Sequence, residues 1–266
     1  MGKLKSWVFY VAVLALVALA GTAHSTATIA YPDFVNLSTF TLNGNALNVS
    51  NPVQANGRQV LRLTPASPDQ ASSAYLTQSL ALSKCLSFSS FFSFQITLPS
   101  GDGADGLTFA IQSQGPTALG VDGFGLGFQG VDQSLAVEFD TYDNGGGTDQ
   151  NNDNHVGIDL NGDVTAVIQY NVPNSMKNGA VWYAWVDYDG VKKLLEVRIS
   201  ETSTRPVAAQ LSRTVDLAQI LGPNAWVGFT AATGGPYQIH DILSWNFSYT
   251  IPGMSTPAIN SVILGD

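Results

Sequence analysis

A strand-like run near the middle of the chain places two carboxylates on one face. Residues 134–144 read Ser-Leu-Ala-Val-Glu-Phe-Asp-Thr-Tyr-Asp-Asn. Side chains alternate between faces along a strand, so Glu138, Asp140 and Tyr142 point away from the face that holds Phe139. Two carboxylates side by side on an otherwise apolar strand repel each other and lose hydration. They therefore need a cation or a shared proton.

The segment that follows supplies further metal-ligand types. Asn144, Asp149, Asp153 and His155 lie within a dozen residues, and glycines 145–147 let the loop fold back. Carboxylates, an amide oxygen and a backbone carbonyl suit Ca²⁺, whereas an imidazole suits a transition ion beside it. The alternative is a solvated loop rich in Asn and Asp, and composition and periodicity do not decide between the two.

The elements that must position these residues are strands. The chain has 266 residues, of which 12% are charged, 26 are Gly and 12 are Pro, a composition that favours strands and turns. Trp182–Tyr188 and Val191–Ile199 flank Asp189-Gly190, which predicts a hairpin with a positive-φ turn. Residues 215–221 alone predict a helical turn. We therefore expect a single all-β sandwich or barrel.

The N-terminal residues have the pattern of an export signal. Lys3 and Lys5 precede an apolar run, residues 7–20, and small residues follow it. That run is shorter than the roughly 20 residues that span a bilayer as a helix. The alternative is an uncleaved membrane anchor, and cleavage after Ala23 or after Ala27 is left open. The predicted organisation is a signal peptide over 1–27, one domain over 28–251 and a Pro-rich tail over 252–266.

Charge and cysteine content limit the classes of partner. A net charge of −9 argues against nucleic acid, because no basic stripe exists to neutralise phosphates. The single cysteine, Cys85, cannot form an intrachain disulfide, so an exported domain must rest on a large core, on metal, or on both. Asn36, Asn48 and Asn246 begin glycosylation sequons, which have meaning in a eukaryotic secretory pathway.

Four blocks of the sequence resemble legume-type lectins, which have the concanavalin-like lectin/glucanase fold. Together they span roughly residues 33–250 in the family's order. The blocks are Gly103–Phe109, a looser Gly-rich match at Gly123–Phe128, Val137–Asn144 with Asp149 and His155–Asp159, and Val227–Gly234 with Ile242–Phe247. The resemblance implies an antiparallel jelly-roll β-sandwich that binds carbohydrate and is not an enzyme.

The resemblance also implies a set of metal ligands. The position after Asp149 is usually Pro in the family and is Gln150 here. Asp149 is preferred to Asp153 because the family places this aspartate five to seven residues before the histidine. Some family members bind calcium alone, so the second ion is left open. The implied ligands are Glu138, Asp140, Asp149 and His155 for a transition ion such as Mn²⁺, and Asp140, the Tyr142 carbonyl, Asn144 and Asp149 for Ca²⁺.

The implied sugar site lies next to the calcium. In the family the peptide before the sugar-binding aspartate is cis, which is Ala104–Asp105 here. Its carboxylate would accept from sugar hydroxyls, while amide and backbone N–H groups donate and an aromatic ring stacks below. A shallow site of this kind binds single sugars weakly and gains avidity from multivalency. The implied residues are Asp105, a backbone N–H from Gly125 with Gly123 as the alternative, Tyr142 and Asn144, with Gly234, Gly235 and Tyr237 forming the remaining wall.

Two other functions remain open from the sequence. The run Glu138–Asp143 also resembles the acidic strand of jelly-roll glucanases, but the position of their general acid is Asp143, one methylene shorter than Glu. A metal-stabilised adhesion or structural module without sugar binding is the second alternative. The predicted protein is secreted or held at the cell surface, its partners are glycans or glycoconjugates, and a homodimer through its flat sheet is left open.

Overall fold

A computed structural model describes residues 25–50, 58–81, 87–98 and 101–251 of the protein. Cys85, the predicted tail and residues 1–24 lie outside these ranges. Sixteen strands and two short helical turns are formed within them, the turns at Gly123–Gly125 and Leu217–Ile220 (α1). The strands are β1 (Ser25–Tyr31), β2 (Phe40–Gly44), β3 (Leu47–Ser50), β4 (Gln59–Thr64), β5 (Gln70–Leu76), β6 (Leu80–Ala81), β7 (Phe88–Thr97), β8 (Gly106–Gln112), β9 (Ser134–Asp140), β10 (His155–Leu160), β11 (Asp163–Asn171), β12 (Val181–Asp189), β13 (Leu194–Ser200), β14 (Leu211–Thr214), β15 (Asn224–Thr233) and β16 (Ile239–Ile251).

The strands form two sheets of eight. The site sheet has the order β11-β10-β9-β8-β15-β5-β2, with β6 also paired to β15. The back sheet has the order β14-β13-β12-β7-β16-β4-β3, with β1 also paired to β16. Every pairing is antiparallel, and neighbours in space are often far apart in sequence. The predicted all-β antiparallel jelly-roll sandwich is confirmed.

An aromatic core fills the space between the sheets. Phe229 on β15 packs edge-on against Phe92 and Trp245, with ring centroids 5.1 and 5.0 Å apart. Edge-to-face pairs of this kind are favourable beyond the area that they bury. Leu135, Val137 and Phe139 of β9 belong to the same core. Alternation along β9 therefore sends its two carboxylates to the opposite, outer face of the site sheet.

The β12–β13 hairpin forms where it was predicted, but its turn differs. The paired register ends at Asp189 opposite Leu194, so residues 190–193 form a four-residue connection. The positive φ, 56°, falls on Lys193 and not at Asp189-Gly190. A longer connection moves the positive-φ residue to the end of the turn, where β13 begins. The predicted helical turn near residue 217 is confirmed as α1.

The first strand begins inside the predicted signal peptide. β1 runs from Ser25, which pairs with Ile251 at the end of β16. Cleavage after Ala23 would leave β1 whole, whereas cleavage after Ala27 would remove its first three residues. The boundary between signal and domain remains a prediction, and β1 favours the earlier position. Within the described parts of the chain, no helix has both the length and the hydropathy needed to cross a membrane.

Candidate functional site

Strands β9 and β10 bring an acidic cluster together on the outer face of the site sheet. The register places His155 opposite Asp140 and Gly157 opposite Glu138. Glu138, Asp140 and His155 are only 1–2% exposed, and one ligand atom from each lies within 4.8 Å of the others. Glu138 Oε1 is 3.2 Å from His155 Nε2. Two carboxylates and an imidazole at this spacing match the donor set of a metal ion.

Gly157 makes room for the Glu138 carboxylate. A Cβ at position 157 would lie 2.1 Å from Glu138 Oε1 and 2.8 Å from the Ala166 methyl group. Any side chain there would push the carboxylate out of the cluster. The glycine is therefore required by the approach of Glu138, not by the backbone conformation of β10.

The electrostatics of the cluster favour a bound cation. Burial raises the pKa of Asp140 well above its usual range, and the charges of Glu138 and Asp149 raise it further. Burial opposes protonation of His155, but its hydrogen bond to Glu138 and the charges of Glu138 and Asp149 outweigh burial and raise its pKa. His155 Nδ1 lies 3.3 Å from the Asn152 carbonyl, an arrangement that orients a metal-binding imidazole.

Asp149 reaches this cluster from the following loop. It is 2% exposed, and its Oδ2 accepts a hydrogen bond from the Asn144 N–H. Burial raises its pKa to about 6, against the effect of that hydrogen bond and of His155. Asp153, by contrast, has a 65% exposed side chain and lies 3.7 Å from Lys177 Nζ. Between the two aspartates that the sequence offered, Asp149 is the one that lies beside the cluster.

The loop departs from its relatives at Gln150. Gln150 and Asn151 have φ values of 53° and 60°. A proline ring fixes φ near −65°, so the proline that is usual in the family could not adopt the Gln150 conformation. The substitution and the path of the loop therefore agree with each other.

Asp105 lies next to the loop that carries Asp149. The Ala104–Asp105 peptide is cis, which confirms the conformation that the resemblance implied. Asp105 is 3% exposed, and its Oδ2 makes no hydrogen bond within the described residues. Burial raises the pKa of Asp105 to about 7, opposed by the Gly234 N–H and reinforced by Asp149 and Asp122. A buried carboxylate oxygen without a donor is suited to accept from a ligand hydroxyl.

Gly234 lies beside the Asp105 carboxylate, and Gly123 lies beside Gly234. A Cβ built on Gly234 would lie 3.3 Å from Asp105 Oδ2 and 3.6 Å from Gly123 Cα. The N–H of Gly125 already donates to the Asp122 carbonyl at 3.0 Å, and Gly125 is buried. No backbone hydrogen bond from the Gly123 N–H is found in the described residues. Of the two candidate donors, the structure leaves Gly123 available.

The remaining predicted sugar residues lie around this centre. Asn144 and Gly235 are exposed, and Tyr142 and Tyr237 are half-buried. Tyr142 lines a surface depression of about 500 Å³ together with Asp143 and neighbouring residues, but Asp105 does not line it. Among the described residues no hydrogen bond joins either tyrosine to Asp105. The structure thus brings Asp105 and Gly234 together, with Gly123 next to Gly234, and Tyr142 lines a depression that Asp105 does not line.

A neutral network that the sequence did not reveal supports Asp105 from behind. The Thr141 hydroxyl and N–H both donate to the Asp105 carbonyl, at 2.8 and 2.9 Å. Gln238 Nε2 donates to Thr141 Oγ1 and lies 2.9 Å from His240 Nε2. His240 Nδ1 lies 2.5 Å from Thr64 Oγ1. These contacts connect β4 and β16 of the back sheet to the residue at the centre of the site.

His240 lies in the interior of the back sheet, because β16 is placed between β7 and β4. The side chain is fully buried, and burial lowers its pKa to about 3. It is therefore a neutral hydrogen-bonding residue.

Two further charged residues were not identified as part of the site. Lys177 Nζ donates to the Thr141 carbonyl at 2.8 Å. Asp159 on β10 is fully buried, neither carboxyl oxygen has a hydrogen-bond partner within the described residues, and burial followed by Glu138 raises its pKa well above the usual range. The sequence signal that could have placed Asp159 at the site was period-two alternation along β10, since residues 157 and 159 share one face.

Comparisons with known proteins agree with the fold. The family model described as the legume lectin domain matches residues 29–261. The chain is 35% identical over 182 residues to the basic agglutinin of Psophocarpus tetragonolobus, covering 63% of this chain and 71% of that protein. It is 39% identical over 170 residues to the L-type lectin-domain containing receptor kinase VIII.1 of Arabidopsis thaliana, covering 61% of this chain and 23% of that protein. The match thus spans about a quarter of the kinase's length.

Solved structures show the same architecture. A lectin from Bauhinia forficata in complex with GalNAc superposes with a TM-score of 0.72 at 28% identity, covering 86% of this chain and 100% of that one. The winged bean acidic lectin complexed with methyl-α-D-galactose superposes with a TM-score of 0.70 at 28% identity, covering 85% and 99%. Arcelin-5, a lectin-like defence protein from Phaseolus vulgaris, shares the fold at 22% identity.

Proposed function

Because the chain belongs to the legume lectin family, we propose that it is a calcium-dependent lectin with its sugar site centred on Asp105. The observation that carries the proposal is the Asp105 carboxylate itself. Its Oδ2 is buried, makes no hydrogen bond among the described residues, and lies beside Gly234 just before β8 of the site sheet. Carbohydrate binding is the function of the family, and this carboxylate is where the chain can perform it.

The acidic cluster fits the metal ions that the family implies. Ca²⁺ would be held by Asp140, the Tyr142 carbonyl, Asn144 and Asp149, all of them oxygen donors. Glu138, Asp140, Asp149 and His155 would hold a transition ion such as Mn²⁺, which accepts an imidazole. The raised pKa values of Asp140 and Asp149 support this assignment, because a cation removes the repulsion and burial cost that raise them.

Calcium would support sugar binding by holding the loop that lies against Asp105. Asp149 contacts the Asn144 N–H, and its charge raises the pKa of Asp105. An ion on Asp149 would therefore fix Asn144 and favour the ionised Asp105 carboxylate at once. This link predicts that sugar affinity depends on calcium even though Asp105 is not itself a ligand.

The proposed sugar contacts follow from donor and acceptor chemistry. Asp105 would accept from two hydroxyls, and the Gly123 N–H and the Asn144 amide would donate. The Tyr142 ring would supply an apolar platform. The wall of the site would be formed by Gly234, Gly235 and Tyr237.

Galactosides are the first sugars to test. Solved neighbours were crystallised with GalNAc and with methyl-α-D-galactose. A neutral pyranose is compatible with a site whose acidic groups are held by metal. Entry into the secretory pathway, with release or display at the cell surface, completes the proposal.

The glucanase alternative does not fit the site. Its general acid would be Asp143, which is exposed and accepts a hydrogen bond from the Gly145 N–H in a turn after β9. The legume lectin domain is a carbohydrate-binding domain and not an enzyme. A metal-stabilised module without sugar binding is separated from the lectin by the experiment below.

The deciding experiment is binding of the mature domain to a glycan array that includes α- and β-galactosides. Wild type is compared with Asp105→Asn and with Asp153→Asn, a control at the exposed loop aspartate. We expect binding that disappears with a calcium chelator and with Asp105→Asn but persists in Asp153→Asn. Absence of binding to any glycan, with a chelator still lowering the melting temperature, would overturn the lectin and support the metal-stabilised module.

A further inference from the structure

We infer that Asn246 carries an N-linked glycan that lies against an aromatic strip on the outer face of the back sheet. Asn246 begins the sequon Asn-Phe-Ser. Its neighbours Trp245 and Phe247 point into the core, and Asn246 itself is exposed. The inference is independent of sugar binding at Asp105 and rests on the predicted secretory route.

Strand register places Asn246 in a row that crosses five strands. Ala30 lies opposite Asn246 on one side and Phe91 on the other; Trp185 lies opposite Phe91, and Arg198 opposite Trp185. Side chains paired in this way share one face of the sheet. Neighbouring strands are about 4.8 Å apart, so Trp185 lies roughly 10 Å from Asn246 along the row.

The aromatic strip consists of Phe91, Tyr183 and Trp185. Phe91 stacks on Trp185 with centroids 5.1 Å apart at 20°, and on Tyr183 at 6.3 Å and 10°. The three rings thus lie nearly parallel and cover part of one another's faces; Trp185 is only 6% exposed, whereas Phe91 and Tyr183 are half-buried. Both stacking partners of Phe91 are on β12, so its other face is the one on the β16 side, where Asn246 lies. A pyranose ring gains dispersion contact when its C–H-rich face lies against an aromatic ring.

The surroundings of Asn246 leave room for an attached sugar. Ser89 and Ser93 on β7 lie opposite Ser248 and Ser244, the small polar residues on either side of Asn246. Ser93 and Ser244 hydrogen-bond to each other at 2.6 Å, so they do not compete for the asparagine. Among the described residues no hydrogen bond involves the Asn246 side chain, which leaves its amide nitrogen free to bear a glycan.

The modification has a balanced chemistry. The Asn246 amide nitrogen displaces the diphosphate from the anomeric carbon of a lipid-linked oligosaccharide. A C–N bond forms, the C–O bond to diphosphate breaks, and the amide proton is released with the lipid diphosphate; nothing is oxidised or reduced. A bulky glycan at this position would cover the aromatic strip and prevent a second copy from packing on the same face.

The first test is glycopeptide mass spectrometry of the full chain secreted from a plant host. We expect an oligosaccharide on the Asn246 peptide, its loss in Ser248→Ala, and its retention in Ser248→Thr and in Asn36→Gln. An unmodified Asn246 peptide in the secreted wild-type protein would overturn the inference, whatever the result of the glycan array.

The second test asks whether the glycan contacts the strip. Phe91→Ser, or Phe91→Leu if the serine variant does not fold, is made in both the wild type and Ser248→Ala. Contact predicts that the Phe91 change lowers the melting temperature more in the glycosylated protein than in the unglycosylated one. Equal shifts in melting temperature would overturn the contact between the glycan and the aromatic strip. A glycosylated chain that sediments as a dimer packed through this face would overturn the inference that the glycan covers it.

Discussion

Two buried polar regions meet at Asp105. One contains uncompensated negative charge, and the other consists of neutral groups that hydrogen-bond to one another. The acidic cluster on β9 and β10 contains Glu138, Asp140 and Asp159, with one imidazole among them. Burial and mutual repulsion raise the pKa of Asp140 and of Asp159. The region has more negative charge than its own donors can compensate, which is the reason for proposing a cation there.

The network behind Asp105 carries no net charge, and its one atom without a hydrogen-bond partner in the described residues is Gln238 Oε1. Thr64, His240, Gln238 and Thr141 are fully buried and neutral, and each hydrogen-bonds to the next. Thr141, at the end of this series, donates to the Asp105 carbonyl through both its hydroxyl and its N–H. In the proposed function the metal would control the carboxylate side of Asp105, whereas hydrogen bonds of the fold hold its backbone.

The largest expected effect tests the charged region. Asp140→Asn removes one carboxylate at constant size, so calcium stabilisation should disappear and sugar affinity should fall at least about 100-fold, or ~2.7 kcal/mol. The chelated variant should nevertheless melt a few degrees above chelated wild type, because the repulsion is reduced. Differential scanning fluorimetry with and without calcium, together with sugar titration calorimetry, measures both effects. A variant that keeps its calcium-dependent rise in melting temperature would contradict the assignment of Asp140.

The second effect tests the neutral region by pH. His240 has a folded pKa of about 3, below the unfolded value of about 6.5. Its neutral form therefore contributes stability that is complete above pH ~6.5 and is lost as the pH falls toward 3. Between pH 6.5 and 4.5 the loss is about 2.3 kcal/mol.

The measurement is urea unfolding of wild type and His240→Gln, each with chelator, across this pH range. The acidic cluster titrates in the same way in both proteins, so the difference between the two curves isolates His240. We expect that difference to shrink steadily as the pH falls. Parallel curves would show that His240 is not buried in its neutral form.

The third effect asks whether the two regions act separately. Gln238→Met leaves His240 Nε2 without its partner and removes the hydrogen bond that Thr141 Oγ1 accepts, at a cost of about 1–3 kcal/mol in the free energy of unfolding. Sugar affinity should fall several-fold through the loosened Asp105 backbone, while calcium affinity stays unchanged. Calorimetric titration of each ligand separates the two, with Thr141→Val as the matched variant at the next bond. Equal losses in both affinities would mean that the network also shapes the metal site.

The two regions also differ in how far the sequence could predict them. Period-two alternation placed Glu138 and Asp140 together because both lie on one strand, and motif order placed Asp149 and Asp105 nearby. The neutral network joins Thr64 to His240 and Thr141 to Gln238, pairs separated by 176 and 97 positions. No local pattern encodes such contacts; they follow from the order of strands in the sheets. The turn over residues 190–193 differs from its prediction for the same reason, because the register between β12 and β13 fixes its length.

The smallest effect concerns Lys177, the cation that lies where the two regions meet. Its Nζ donates to the Thr141 carbonyl at 2.8 Å and lies 3.7 Å from the exposed Asp153 carboxylate. The ion pair is open to solvent on the aspartate side and should contribute less than about 1 kcal/mol, decreasing with salt. The hydrogen bond to Thr141 is more enclosed and should not depend on salt. Lys177→Met should therefore lower the free energy of unfolding by about 1 kcal/mol, and Asp153→Asn by less, in urea melts at low and high salt. If both variants instead lost the same free energy of unfolding and high salt abolished both losses, Lys177 would contribute only through its ion pair with Asp153. In that case Lys177 would not link the loop that carries Asp153 to the Thr141 backbone.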